Sequence, residues 1–274
     1  MKPDDFQLLS GLLKERSGLV LTVDKAYLLE SRLVPLARKQ GMRGLEDLVH
    51  AIRTTREERL INVVTEAMTT NESLFFRDSS PFDQLKATLL PSLQKARVNT
   101  RRLRIWSAAC STGQEPYSIA MVLKDAGALL AGWRVDLIGT DLSTEVLEKA
   151  KAGIYSQFEV QRGLPIAMLV KYFTKANDMW QAKPDLRGMV QYRQHNLLND
   201  LSILGTFDIV FCRNVLIYFD QATKAMILER VARLLAPDGY LILGGAETVL
   251  GITGRYAPVP NMRGIYAIVP ERKH

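Results

Sequence analysis

The chain has 274 residues, 47% of them hydrophobic, which is enough to bury a full core and long enough for one large domain beside a small one. No apolar run approaches the roughly 18 residues of a membrane span and the N-terminus has no signal-peptide core, so a cytoplasmic protein that is not membrane-inserted is expected. Lys and Arg outnumber Asp and Glu by 36 to 29, a net +7, which favours an acidic partner or marks a solvated surface. Cys110 and Cys212 are too few for a disulfide scaffold, and His50, His195 and His274 are scattered, so no metal site is expected.

The first hundred residues read as helix. Phe6, Leu9, Leu12 and Leu13 recur at helical spacing until Gly18, and Leu19 to Leu21 form a short extended link. Asp24 is placed to cap a second helix carrying Tyr27, Leu28, Leu33, Leu36 and Ala37, which stops at Gly41. Leu45 to Ile52 and Arg56 to Met68 give two more. The result is a four-helix domain ending near Glu72. Its exposed faces carry Arg32, Arg38, Lys39, Arg43, Arg53, Arg56 and Arg59, read either as ordinary solvated charge or as a docking surface for an acidic helical partner.

Thr69 to Phe82, TTNESLFFRDSSPF, then sets hydroxyls and an amide (Thr69, Thr70, Asn71, Ser73) against Phe75, Phe76 and Arg77. Beside two aromatics, Arg77 is suited to hold a carboxylate by a bidentate pair; a surface pairing with Asp78 or Asp83 is the alternative. Pro81 to Lys95 reads as a connecting helix.

From Leu103 the pattern changes. Leu103, Ile105, Trp106 and Ala108 mark a buried strand that runs through Ala109, Cys110, Ser111, Thr112 and Gly113 into an amphipathic helix with Pro116 in its first turn. Small residues at a helix N-terminus let a ligand lie against backbone at the positive end of the dipole, or else serve packing alone. Arg134 to Thr140 is a second strand ending on Asp141. An acid at that tip can accept both hydroxyls of an adenosine ribose; equally it can favour the start of the next helix.

Ile154 to Gln194 loosens into an insertion: a weak helix at Ile166 to Phe173, Trp180 in a polar setting, and a turn at Pro184 to Gly188 before Met189 to Tyr192. Asn196 follows, placed for an adenine edge or for a turn. Phe207 to Cys212 is a buried strand broken by Arg213 and Asn214 at its C-terminal end, where open α/β sheets put their ligands, and Tyr218 lies just beyond. Gln221 to Leu235 is helical and Pro237 to Gly239 turns. Tyr240 to Leu243 returns as a strand, with Tyr256 to Val259 and Ile265 to Val269 as an antiparallel pair. These readings divide the chain into a helical domain (1–74), a linker with a helix (75–96) and an α/β domain (97–274) with an insertion at about 154–194.

Helix and strand alternation ending in a hairpin fits a methyltransferase better than a nicotinamide enzyme, whose first loop would carry more glycine. The successive stretches TTNESLFFRD, IWSAACSTGQEPYSIAM, GTDLS and FDIVFCRNVLIYFD resemble the signatures of the chemotaxis receptor methyltransferases (CheR family), in order and over essentially the whole chain. Ser73 stands where Thr is common in that family, and Gln114 precedes Glu115 where an acid is common. The resemblance implies a small N-terminal all-α domain followed by a Rossmann-like S-adenosylmethionine-dependent methyltransferase domain with an inserted small β-subdomain. It implies methyl transfer to glutamate carboxylates on the cytoplasmic helices of chemoreceptors, with S-adenosylhomocysteine as the other product and no metal. Asn71, Ser73, Arg77, Glu115, Asp141, Asn196, Leu197, Arg213 and Asn214 would then contact the cofactor, and Arg77 and Tyr218 the reacting carboxylate.

The residues agree independently, since a glutamate of pKa about 4.3 is ionised at neutral pH and its attack on a sulfonium methyl needs no general base. A monomer that binds no nucleic acid is expected. Because the turn at Lys175 to Asp178 lacks the family's glycines, no receptor C-terminal peptide tether is expected either. The rival reading is a non-catalytic nucleotide-binding module whose basic helices bind nucleic acid or another acidic partner; against it, the helices show no interleaving of aromatic and basic residues.

Overall fold

The computed structural model describes residues 1–269; His274 lies outside them. By packing, the chain divides into two units, Met1–Thr70 with Tyr218–Thr223, and Asn71–Ile217 with the chain from Lys224 on.

The first unit is built on α1 (Pro3–Ser17), α2 (Ala26–Lys39), α3 (Leu45–Thr55) and α4 (Glu58–Met68). Helix α1 opens with Pro3 and two acids in its first turn and stops at Gly18, whose left-handed φ of 76° lets its N–H reach the Lys14 carbonyl. Asp24, expected to cap α2, lies instead in a 3-10 turn, Val23–Lys25, and no side chain caps the helix that follows. Leu9, Leu13, Leu29, Leu33, Leu48, Val64 and Met68 close the core.

The second unit begins with the connecting helix, which is interrupted: α5 (Ser80–Gln84), one stretch of π-helix (Leu85–Leu89) and α6 (Leu90–Ala96). There follow β1 (Arg102–Ala108), α7 (Gln114–Asp125), β2 (Arg134–Asp141), α8 (Thr144–Ala152), β3 (Ile154–Ser156), α9 (Gln157–Gln161), α10 (Ile166–Tyr172), β4 (Phe173–Ala176), β5 (Met179–Ala182), α11 (Pro184–Arg187), β6 (Val190–Gln194), β7 (Phe207–Cys212), α12 (Gln221–Leu234), β8 (Leu235–Leu243), β9 (Tyr256–Pro258) and β10 (Ile265–Ile268). The main sheet has the order β6-β2-β1-β7-β8-β10-β9. Its strands are parallel from β6 to β8, and β10 and β9 are antiparallel. Strand order reverses at β1, which has β2 on one side and β7 on the other, and at such a switch point a parallel sheet opens a crevice beyond its strand ends.

Two readings shift. Val190–Gln194 pairs parallel with β2, so the end of the 154–194 stretch belongs to the main sheet, and the inserted sheet is β3-β5-β4. Pro237 to Gly239, expected as a turn, lies inside β8 where the register against β7 slips. Asp238 there binds Arg97, and that ion pair anchors the irregular segment.

Candidate functional site

The crevice is lined by the loops that leave β1, β2, β6 and β7. After β1 the chain turns through Ala109, Ser111 and Gly113 at φ of 54°, 50° and 94°, a left-handed path that only the glycine adopts at no cost. Hydrogen bonds hold it in place. Cys110 N donates to the Thr140 carbonyl at 2.9 Å, Ser111 N to Asp141 Oδ2 at 2.8 Å, and Ser111 Oγ to the Asn71 carbonyl at 2.8 Å. The loop is thereby tied both to the tip of β2 and to the Asn71–Asp78 segment.

Asp141 ends β2 and is 7% exposed. Its Oδ1 accepts from Ser143 N at 3.0 Å, so its carboxylate spans the loop before α7 and the turn before α8. Its carbonyl accepts from His195 N at 2.9 Å, which brings the segment after β6 alongside. Asn196 there accepts on its Oδ1 from Leu198 N at 3.0 Å, and Leu197 is buried.

Arg213 follows β7 and turns inward. Its guanidinium, 1% exposed, pairs with Glu115 Oε2 and Asp78 Oδ2, each at 3.0 Å, and donates to the Arg77 carbonyl at 2.7 Å. Glu115 completes the network by accepting from Ser107 Oγ at 2.8 Å. One carboxylate and one guanidinium thereby join β1, α7, β7 and the loop containing Phe75 and Phe76. Asp78 is thus committed to Arg213 and does not pair with Arg77. Among the described residues Arg77 makes no ion pair, and its Nη1 reaches the Glu72 carbonyl at 3.5 Å. Ser73 is half-buried in the same loop.

Glu247 has no place in the sequence reading. In the loop after β8 its carboxylate, 9% exposed, accepts four backbone N–H groups: Asn214 at 2.7 Å, Val215 at 2.9 Å, Leu216 at 2.8 Å and Gly244 at 2.8 Å. Asn214 is left-handed, at φ 58°, and that carboxylate offsets its strain. The signal available was an acid in a run of small residues, GGAET, directly after a core strand. Asn71, Glu115, Asp141, Asn196, Arg213 and Asn214 therefore converge at the C-terminal end of the parallel strands. Tyr218 packs in the helical unit, where its carbonyl accepts from Val20 N at 3.0 Å.

Burial pushes the Cys110 and Cys212 thiols well up, leaving two inert protonated groups beneath the crevice. Among the described residues no cluster of His, Cys, Asp and Glu has the makings of a metal site, and no helix is long and apolar enough to cross a membrane. In the helical unit part of the basic surface is already engaged: Arg32 donates to the Met68 and Thr69 carbonyls, Arg43 pairs with Asp47 and Arg53 with Asp5. Arg38, Lys39, Arg56 and Arg59 are exposed as well, and among the described residues they make no ion pair.

Residues 71–265 match the family described as CheR methyltransferase, SAM binding domain, and residues 4–69 match CheR methyltransferase, all-alpha domain. The chain is 45% identical over 267 residues to chemotaxis protein methyltransferase 1 of Pseudomonas aeruginosa, covering 95% of this chain and 96% of that protein. It is 42% identical to chemotaxis protein methyltransferase Cher2 of Pseudomonas putida, over 95% and 96% of the two chains. With the chemotaxis protein methyltransferase of Escherichia coli it shares 35% identity, over 96% of this chain and 90% of that one. An all-α unit followed by a methyltransferase sheet, matched along nearly its whole length, places this chain in the CheR methyltransferase family.

Proposed function

We propose that the protein transfers the methyl group of S-adenosylmethionine to glutamate side-chain carboxylates on the cytoplasmic helices of chemoreceptors, forming glutamyl methyl esters. The observation that carries the reading is the pair of acids at the switch point, the buried Asp141 and the part-buried Glu115, with the Arg213 guanidinium bound to Glu115 and to the Arg77 carbonyl beside them. That donor set fits a ligand with ribose hydroxyls, an ammonium and a carboxylate. S-adenosylmethionine supplies an electrophilic methyl on a sulfonium when bound. Asp141 accepts the ribose hydroxyls, Glu115 offers its carboxylate to the ammonium while Arg213 holds it in place, and the loop from Ala109 to Gly113 gives the ligand bare backbone. Asn71, Ser73, Asn196, Leu197 and Asn214 complete the cofactor contacts.

Arg77, with no ion pair of its own among the described residues, is available to a substrate carboxylate, and Tyr218 is assigned to the same group. A glutamate is already ionised near neutral pH, so these residues orient the nucleophile and compensate its desolvation; no general base is required. Receptor recognition is assigned to the exposed cations of the helical unit, without a C-terminal peptide tether. Asn177, at φ 55°, makes the tight turn between β4 and β5 that family members build with glycine. Methylation should then weaken as salt is raised, because exposed charges are screened within about 8 Å at physiological ionic strength.

Transfer of labelled methyl from the cofactor to receptor fragments, stable to acid and released by alkali as an ester requires, tests the reaction. Isothermal titration with S-adenosylmethionine and S-adenosylhomocysteine tests the site, and absence of heat with both ligands would overturn the reading.

A further inference from the structure

Of the ties on the loop after β1, one comes from the small inserted sheet. Tyr155, in β3 of the small inserted sheet, donates its hydroxyl to the Thr112 carbonyl at 2.7 Å. The residue is fully buried, and burial holds its hydroxyl protonated far above the ordinary tyrosine range, so it remains a donor at any working pH. Its ring meets Phe75 edge-on at 5.0 Å between centroids. Phe75 in turn stands edge-on to Phe173 of β4 at 5.6 Å. Gly163 lies so close under this segment that a Cβ there would come within 2.1 Å of the Phe75 carbonyl oxygen. One aromatic cluster in the insertion thus grips both chains that form the crevice floor: the strained loop at Thr112, and Phe75, two residues before Arg77.

We propose that Tyr155 is a positioning residue for the cofactor loop, so that the small sheet sets the geometry of Thr112 and Gly113 and cofactor affinity depends on it. This rests on the reading of that loop as part of an S-adenosylmethionine site. The loop follows a left-handed path at Ala109 and Ser111, which L-residues leave when they are not held. Three of the four ties described come from the main sheet and the Asn71 segment; the tie at Thr112, next to the start of α7, comes from Tyr155. Removing one hydroxyl there loosens the loop while the ring keeps its packing.

The test is Tyr155→Phe, with Tyr117→Phe as the matched control. Tyr117 is also buried, and its hydroxyl donates to the Ala150 carbonyl of α8 at 2.7 Å and makes no hydrogen bond to the loop. Both variants lose one buried hydrogen bond and should lose similar thermal stability. Tyr155→Phe alone should weaken S-adenosylhomocysteine binding, by about 3- to 10-fold if one net hydrogen bond is the measure, and should speed amide exchange at Ser111 to Gly113. Affinity equal to the wild type, or an equal loss in Tyr117→Phe, would overturn the proposal. If the wild type itself binds no S-adenosylhomocysteine, the cofactor reading fails, and the exchange rates still decide whether Tyr155 pins the loop: unchanged exchange refutes it.

Discussion

The helical unit and the crevice loops are stabilised by opposite means. Among the described residues of the helical unit one buried side chain is polar, Thr65, and its hydroxyl is absorbed by the Ile61 carbonyl one turn back at 2.8 Å. Its ion pairs, such as Arg43 with Asp47 and Arg53 with Asp5, lie at the surface and add little. The crevice loops and the strands and helix they join bury Asp141, Arg213 and Glu247 together with Ser107, Ser111, Gln114, Ser118, Thr140 and Ser143. A buried polar network costs desolvation that an apolar core does not, so it is retained where fixed backbone and fixed charge are needed. The first region specifies a shape; the second specifies where groups point.

The largest expected effect breaks the apolar side of that contrast. Leu33→Ala, at a fully buried position of α2, should cost about 2–5 kcal/mol of stability, as large-to-small core changes do. Denaturant unfolding of the full chain measures it, and a loss below about 1 kcal/mol would mean that the helical core can close over the gap. Asp141→Ala tests the polar side. It removes the acceptor that joins Ser111 and Ser143 as well as the proposed ribose contact, and should lower S-adenosylhomocysteine affinity by about 1.5–3 kcal/mol, the scale of a charged hydrogen bond. Wild-type affinity in a folded variant would remove Asp141 from the cofactor.

The same contrast explains what could be read from the sequence. Apolar periodicity depends on local pattern, and it located the helices of the first unit, the buried strand Phe207–Cys212 and the acid that ends β2. It failed where long-range polar pairing decides the outcome. Arg213 sits where a strand-end residue should, yet its side chain turns inward to Glu115, a partner 98 residues away. Glu247 holds the backbone of Asn214 from 33 residues on, and no spacing rule joins them. Pro237 to Gly239 has the composition of a turn but continues a strand, because Asp238 finds Arg97 across 141 residues.

A smaller effect separates the reacting carboxylate from the cofactor. If Arg77 and Tyr218 hold the glutamate, Arg77→Ala and Tyr218→Phe should lower kcat by about tenfold or more while S-adenosylhomocysteine affinity moves less. Single-turnover methyl transfer beside calorimetry gives both numbers, and equal losses would reassign the two residues to the cofactor or to folding.

The smallest effect asks whether the polar region carries its own pH dependence. His195 lies next to Asn196, its backbone N–H bound to the Asp141 carbonyl, and its Nε2 is buried with no hydrogen-bond partner among the described residues. Burial lowers its pKa below the ordinary 6.5, and the nearby Asp200 opposes that only in part. Above that value the imidazole is neutral in folded and unfolded chains alike and has no effect on their balance. As pH falls through it, the unfolded chain takes up a proton before the folded one does, so stability declines until the folded imidazole is protonated as well. His195→Gln should flatten this part of the profile, measured as Tm between about pH 7.5 and pH 5. A variant whose Tm falls in parallel with the wild type would show that the imidazole is as well solvated folded as unfolded, and that the polar order of the crevice stops at Asp141.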